Sequence, residues 1–125
     1  IEAQVEPVMS ADEVLTYQQY VRQIPVADNV IEHAVRLVSR TRPDNEHAPD
    51  FVKNYLNYGA GPRASQYLIL GAKTLAALDG RATPLEDDVR RMAVPVLRHR
   101  IVPNFNAEAD AVTSVDVINE LLAGD

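Results

Sequence analysis

Apolar residues recur along most of this chain at the three- and four-residue spacing of amphipathic helices, and prolines and glycines punctuate the pattern. Residues 1–9 have no period and are broken by Pro7, which predicts a linker. Ser10 followed by Glu13 forms a capping-box pair. Val14, Tyr17, Val21 and Ile24 then make an apolar stripe that Pro25 stops. A second helix is predicted from near Asp28, with Val30, Ala34, Leu37 and Val38 inward and Glu32, Arg36 and Arg40 outward. From Thr41 the pattern dissolves into a polar, proline-punctuated loop, Arg42 to Asp50. Phe51, Val52, Tyr55, Leu56 and Tyr58 then bring an apolar-aromatic cluster back to the domain as a short helical turn.

The third helix is predicted over Pro62 to about Asp79, with Gly80 as its stop. It carries two apolar stripes, Ala64, Leu68, Ala72 and Leu75 on one side and Tyr67, Leu70, Thr74 and Leu78 on the other. A helix apolar on two faces belongs at the centre of a bundle. Thr83, Pro84 and Glu86 read as another capping box with proline at the first helical position, opening a helix that buries Leu85, Val89 and Met92 and ends before Pro95. A short apolar piece, Val94 to Leu97, leads into Arg98, His99 and Arg100. A strand is possible around His99–Val102, and Ser114 is expected to cap a last helix with Val115, Ile118, Leu121 and Leu122 inward. The predicted class is all-α, a small bundle of about five helices with at most one short strand or hairpin.

Composition narrows the function classes. A length of 125 residues suits one domain with a genuine core, and 46% hydrophobic with 24% charged residues argues against disorder. The formal net charge of −6 argues against non-specific nucleic-acid binding, which rests on neutralising phosphates. No cysteine is present, which removes disulfides, thiol catalysis and thiolate metal sites and fits a cytoplasmic setting. No apolar run reaches the roughly 20 residues of a membrane helix, and no signal-peptide pattern opens the chain. The first residue is not methionine, as expected of a piece of a longer protein.

Familiar catalytic patterns are missing. No glycine-rich loop followed by Lys-Ser/Thr provides a phosphate cradle, and no apolar run ends in paired acids suited to magnesium. His33, His47 and His99 read as surface or capping residues rather than metal ligands. Ser10, Ser39, Ser65 and Ser114 lack a nucleophile-elbow context. Glu86, Asp87 and Asp88 are expected to complement a helix N-terminus. Arg81, Arg98 and Arg100 read as caps or salt-bridge partners, and Phe51, Tyr55 and Tyr58 as core filling under the long loop.

One stretch does carry chemistry. Gly59-Ala60-Gly61-Pro62-Arg63-Ala64-Ser65 places Pro62 at a helix start, where its missing N–H costs nothing, and Arg63 immediately behind it. The open amides and the dipole of that end attract anions, whereas a cation there is unfavourable by roughly 0.3–1 kcal/mol. An arginine tolerated at such an end points to a phosphate-like partner. On spacing alone, a solvated arginine or one paired with a nearby acid such as Asp50 is the favoured explanation, because surface arginines are common.

At this motif the chain resembles the C-terminal lid domain of MoxR-type AAA+ ATPases, in which Gly-Ala-Ser-Pro-Arg-Ala opens a lid helix. Gly61 stands where that family usually has serine, which removes a side-chain cap at a cost of a few tenths of a kcal/mol. Five further pieces follow the family's order: Gln23-Ile24-Pro25-Val26, Thr41-Arg42-Pro43, Ala76-Ala77-Leu78-Asp79-Gly80-Arg81, Thr83-Pro84 with Asp87-Asp88-Val89, and Val96-Leu97-Arg98-His99-Arg100-Ile101. The resemblance covers roughly residues 7–122.

The resemblance implies a division of labour. Residues 1–9 would be the linker from an upstream AAA+ core, and residues 10–123 the lid. Arg63 would be the sensor-2 arginine, directed at the γ-phosphate of ATP and coupling hydrolysis to lid movement, with Pro62 and Gly61 beside the nucleotide. Magnesium would be bound by the core. The resemblance further implies a homo-oligomeric ring, often a hexamer, acting as a chaperone-like motor, with a von Willebrand factor A-domain protein as a possible partner. The competing reading is a free-standing helical interaction or adaptor domain without nucleotide. An enzyme built on the acid clusters is the weakest alternative, because no convergent site is visible.

Overall fold

The computed structural model describes residues 2–125. Seven helices and one two-stranded ribbon follow in the order α1 (Ala11–Arg22), α2 (Asp28–Ser39), α3 (Asp50–Tyr55), β1 (Leu56–Tyr58), α4 (Pro62–Leu78), α5 (Glu86–Leu97), β2 (Val102–Pro103), α6 (Phe105–Ala109) and α7 (Ser114–Ala123). Five helices are substantial, as the periodicity predicts. Of the span His99–Val102, where the sequence allows a strand, only Val102 lies in one: β2 is Val102–Pro103, and it pairs antiparallel with β1 through Leu56 opposite Pro103 and Tyr58 opposite Val102.

Helix α4 is central and packs against α1, α2 and α5, while α2 also packs on α5. On the far side α7 lies against α5 and α3. Val30, Ala34, Leu37 and Val38 of α2 meet Ala64, Leu68 and Ala72 of α4 and Val89, Ala93 and Leu97 of α5 in one core, which Val117, Ile118 and Leu121 of α7 complete. The small residues along α4 permit this crowding. A methyl group on Gly71 would lie 2.6 Å from the Met92 side chain, so the missing Cβ lets α5 approach closely.

Several details differ from the sequence expectation. Helix α1 buries none of its residues: Val14 is 40% and Tyr17 53% exposed, and only Ile24 beyond the helix is buried. Its stripe faces α4 at the edge of the bundle, where a single neighbour cannot enclose it. The second stripe of α4 is open for the same reason, with Leu78 exposed, whereas Ala76 rather than Leu75 is buried.

The helix expected to open at Pro84 begins at Glu86, with Leu85 as its N-cap, exposed rather than buried. Pro84 lies outside the helix and is itself fully buried. Asp88 supplies the cap by accepting the Leu85 amide at 2.7 Å. The same helix runs through Pro95 to Leu97. Proline there removes one bond to the Arg91 carbonyl, and both Pro95 and Arg91 occupy exposed positions where water can serve instead. The last helix is capped by Thr113 in a reciprocal box with Asp116, and Ser114 is its first residue.

The Ser10–Glu13 box forms with both bonds, at 3.1 and 3.2 Å. Gly80 ends α4 with φ 72°, and the Arg81 amide returns to the Ala76 carbonyl at 2.9 Å.

Candidate functional site

The approach to α4 is pinned to the end of α2. Thr41 is fully buried, its hydroxyl donating to the Val38 carbonyl at 2.6 Å and accepting the Ala60 amide at 2.9 Å. Arg42 Nε donates to the Ala60 carbonyl at 2.8 Å. Both backbone polar groups of one buried residue are thus held by two consecutive residues of another segment. Gly59 makes this approach possible: an ideal Cβ there would stand 2.3 Å from the Thr41 carbonyl oxygen.

Beyond this anchor the helix opens as the sequence predicts. Gly61 is the N-cap, with no side-chain cap bond, and Pro62 occupies the first helical position. Arg63 follows, exposed, and the ion pairs among the described residues do not include it. The pairing with Asp50 that spacing allowed is not formed.

Arg63 lines a groove of about 1020 Å³ between α4 and α2. Arg22, Arg42 and Lys73 line it too, and no aspartate or glutamate does. On a chain with a formal charge of −6, this segregates four cations on one face. Lys73 is tethered by a 3.0 Å bond to the Arg22 carbonyl. Exposed apolar surface from Ile31 and Val35 forms the opposite wall. One turn along α4 from Arg63, Tyr67 also faces the groove, and the Arg100 guanidinium lies 4.8 Å from its ring centroid. A groove with forked and single cationic donors and an open helix N-terminus suits an anionic, phosphate-like group.

Other singled-out residues fall elsewhere. Arg81 is a salt-bridge partner, as expected, bound to Asp79 and Asp88. Phe51 and Tyr55 pack against the core, but Tyr58 is exposed, because β1 turns it outward. Arg98 and His99 are exposed. His47 pairs with Glu46 on the surface. His33 departs from the surface reading: it is buried and bonded to the Asp125 carboxylate, which Arg90 also holds at 3.0 Å. Among the described residues no group of three or more His, Cys, Asp or Glu side chains converges as a metal site.

Comparison with known proteins settles the family. The sequence profile of the AAA lid domain matches residues 50–121, more than half of the chain. The chain belongs to the AAA lid domain family. Chaperone MoxR1 of Mycobacterium tuberculosis is 33% identical over 119 residues, which is 95% of this chain and 32% of that protein. Protein MoxR of Paracoccus denitrificans is 44% identical over 43 residues, 34% of this chain and 13% of its own. A crystal structure of a "putative ATPase" from Cytophaga hutchinsonii superposes with a TM-score of 0.83 at 28% identity, covering 90% of this chain and 34% of that one. The lid domain therefore spans about a third of the MoxR1 chaperone and of this structural neighbour. The family resemblance and the helical lid fold read from the sequence both hold. Arg42, Arg22 and Lys73 were not singled out by their local sequence, since they lie in three separate segments that only the fold brings to one groove. Thr41-Arg42-Pro43 was the available signal, as a piece shared with MoxR-type lids.

Proposed function

We propose that this lid domain supplies Arg63 to the γ-phosphate of an ATP held by an AAA+ core, and couples hydrolysis there to movement of the lid. The observation that carries the reading is the state of Arg63: exposed, without an acidic partner, at the uncapped start of α4 and on a groove whose charged residues are all cations. The donor set fits the nucleotide's phosphates. A guanidinium offers forked donors to phosphate oxygens and keeps its charge at any working pH. It does not fit the magnesium ion, since no carboxylate lines the groove, and the metal would be held by the core. Gly61 and Pro62 flank the arginine and leave the helix end open to the phosphate.

Residues 1–9 join the lid to that core in this reading, and residues 10–123 form the moving body. The relative named a chaperone and the structural neighbour described as a "putative ATPase" support placing the whole protein among chaperone-like ATPases; assembly as a homo-oligomeric ring is part of the same proposal. A von Willebrand factor A-domain partner and a cytoplasmic location belong to the same proposal. Among the described residues no helix is long and apolar enough to cross a membrane.

The test is Arg63→Ala in the full-length ATPase. Turnover should fall by on the order of 10²-fold, as for loss of a donor aimed at developing charge, while the melting temperature of the lid is unchanged. Wild-type turnover would remove the sensor-2 role.

A further inference from the structure

We propose that Thr41 and Arg42 are positioning residues for Arg63. The inference rests on the sensor-2 reading above. The segment that delivers the arginine, Gly59 to Gly61, has no regular structure of its own. Left to itself it would let the start of α4 wander. Thr41 and Arg42 remove that freedom at Ala60, three residues before Arg63, by holding its N–H and its C=O at 2.9 and 2.8 Å. Ala60 is 2% exposed, so neither group can turn to water without opening the core. The Thr41 hydroxyl is itself fixed by its 2.6 Å bond to Val38, so the anchor is an extension of α2 and not a loose loop contact.

The two glycines of the motif separate accordingly. At Gly59 any side chain would strike the Thr41 backbone, whereas at Gly61 an added Cβ meets nothing within 4 Å. The first glycine is required by the anchor and the second is free of it. The consequence is mechanical. The groove wall formed by α2 and the arginine on α4 move as one unit, so a shift of the lid is transmitted to Arg63 without slack. An arginine misplaced by about 1 Å loses most of its effect on a transition state, roughly a hundred-fold.

The experiment uses the full-length ATPase carrying Thr41→Val, Thr41→Ser, Arg42→Ala and Arg63→Ala, and each of the first three combined with Arg63→Ala. Thr41→Val should lower kcat for ATP between roughly ten- and a hundred-fold and speed hydrogen exchange at the Ala60 amide. Thr41→Ser, which keeps the hydroxyl, should restore both. In the Arg63→Ala background neither Thr41→Val nor Arg42→Ala should lower kcat further, because residues acting through the arginine lose their effect with it. A direct contact of Arg42 with ATP would persist in that background and overturn its positioning role. Fast exchange at Ala60 with wild-type kcat in Thr41→Val would overturn the proposal while leaving the sensor-2 reading intact; wild-type kcat in Arg63→Ala would defeat that reading instead. Arg42 is only half-buried, so its variant keeps the test available if Thr41→Val fails to fold.

Discussion

The guanidinium of Arg81 grips the carboxylate of Asp88 with two parallel bonds, Nη1 to Oδ2 at 2.7 Å and Nη2 to Oδ1 at 2.8 Å. Its Nε reaches Asp79 at 2.7 Å, and Asp88 in turn accepts the Leu85 amide. One arginine thus ties the end of α4 to the start of α5 across the turn that joins the two most closely packed helices.

This clasp makes an acid-stability prediction. The Arg81 hydrogen bonds, reinforced by the Leu85 amide, hold the Asp88 carboxyl below its usual range, against a smaller opposing effect of burial. Asp116 is lowered too, by its bonds to Thr113. A depressed carboxyl pKa means that the unfolded chain binds the proton first. The stabilisation is fully present above the ordinary value of 3.8 and is lost as pH falls through the lower folded value. Urea unfolding of the domain followed from pH 7 down to pH 2 should show stability falling more steeply below about pH 3.8 for the wild type than for Asp88→Asn, which starts from lower stability. Parallel pH profiles for the two would show that Asp88 contributes nothing to the acid limb.

What could be read from the sequence, and what could not, divides by range. The Ser10–Glu13 cap depends on residues three apart and the Pro62 start of α4 on the fixed φ of proline itself, and both form. The buried stripe of α2 was legible because a period of 3.6 residues shows a face. Which faces are enclosed was not legible, since Val14 and Leu78 sit on regular stripes of α1 and α4 that face only each other at the edge of the bundle, with no further helix to close over them. His33 shows the limit most clearly. Its partner Asp125 is 92 positions away, and the adjacent Glu32 gave no hint of a buried pair. Its Nδ1 is buried without a partner, which binds the side chain to a single contact. The cationic groove likewise depends on residues 22, 42, 63 and 73 meeting, which no local pattern encodes.

The helix ends offer a stability prediction of their own. Both α4 and α6 close with the same pair of returning bonds, and each needs a residue in the left-handed region just past the cap. Gly80 fills it in the first, with φ 72°, but Ala111 fills it in the second, with φ 57°. An L-residue pays about 1–2 kcal/mol for that conformation, whereas glycine loses only roughly 0.5–1 kcal/mol of extra chain entropy. Ala111→Gly should therefore raise stability by about 0.5–1 kcal/mol, and Gly80→Ala should lower it by a similar amount. Chemical denaturation of the two variants decides it; a loss of stability in Ala111→Gly contradicts the argument.

The two glycines of the arginine motif should respond in opposite directions. Gly61 has an extended backbone with φ −90° and ψ −179°, open space around it, and no cap to offer. Gly61→Ser should supply one and add a few tenths of a kcal/mol. Gly59→Ala should cost about 1–3 kcal/mol, because its Cβ meets rigid backbone and not a yielding side chain. Thermal melts of the two variants side by side give the comparison. A Gly59→Ala domain as stable as wild type would mean that the anchor at Thr41 yields more easily than its bonds imply.

The isolated 125-residue chain should not hydrolyse ATP, even with magnesium present. Phosphoryl transfer to water needs an oriented nucleophile and a metal ion bridging the phosphates, besides cations that absorb the developing charge. The groove supplies the last of these alone: Arg22, Arg42, Arg63 and Lys73 line it, and no carboxylate there could hold magnesium or orient water. An arginine offered to a phosphate stabilises charge but cannot begin the attack. Release of phosphate from the purified domain, measured over hours and compared with the Arg63→Ala variant, is the check. Hydrolysis by the wild type that disappears in the variant would mean that the lid holds a complete active site, and that its role is not confined to serving a nucleotide bound elsewhere.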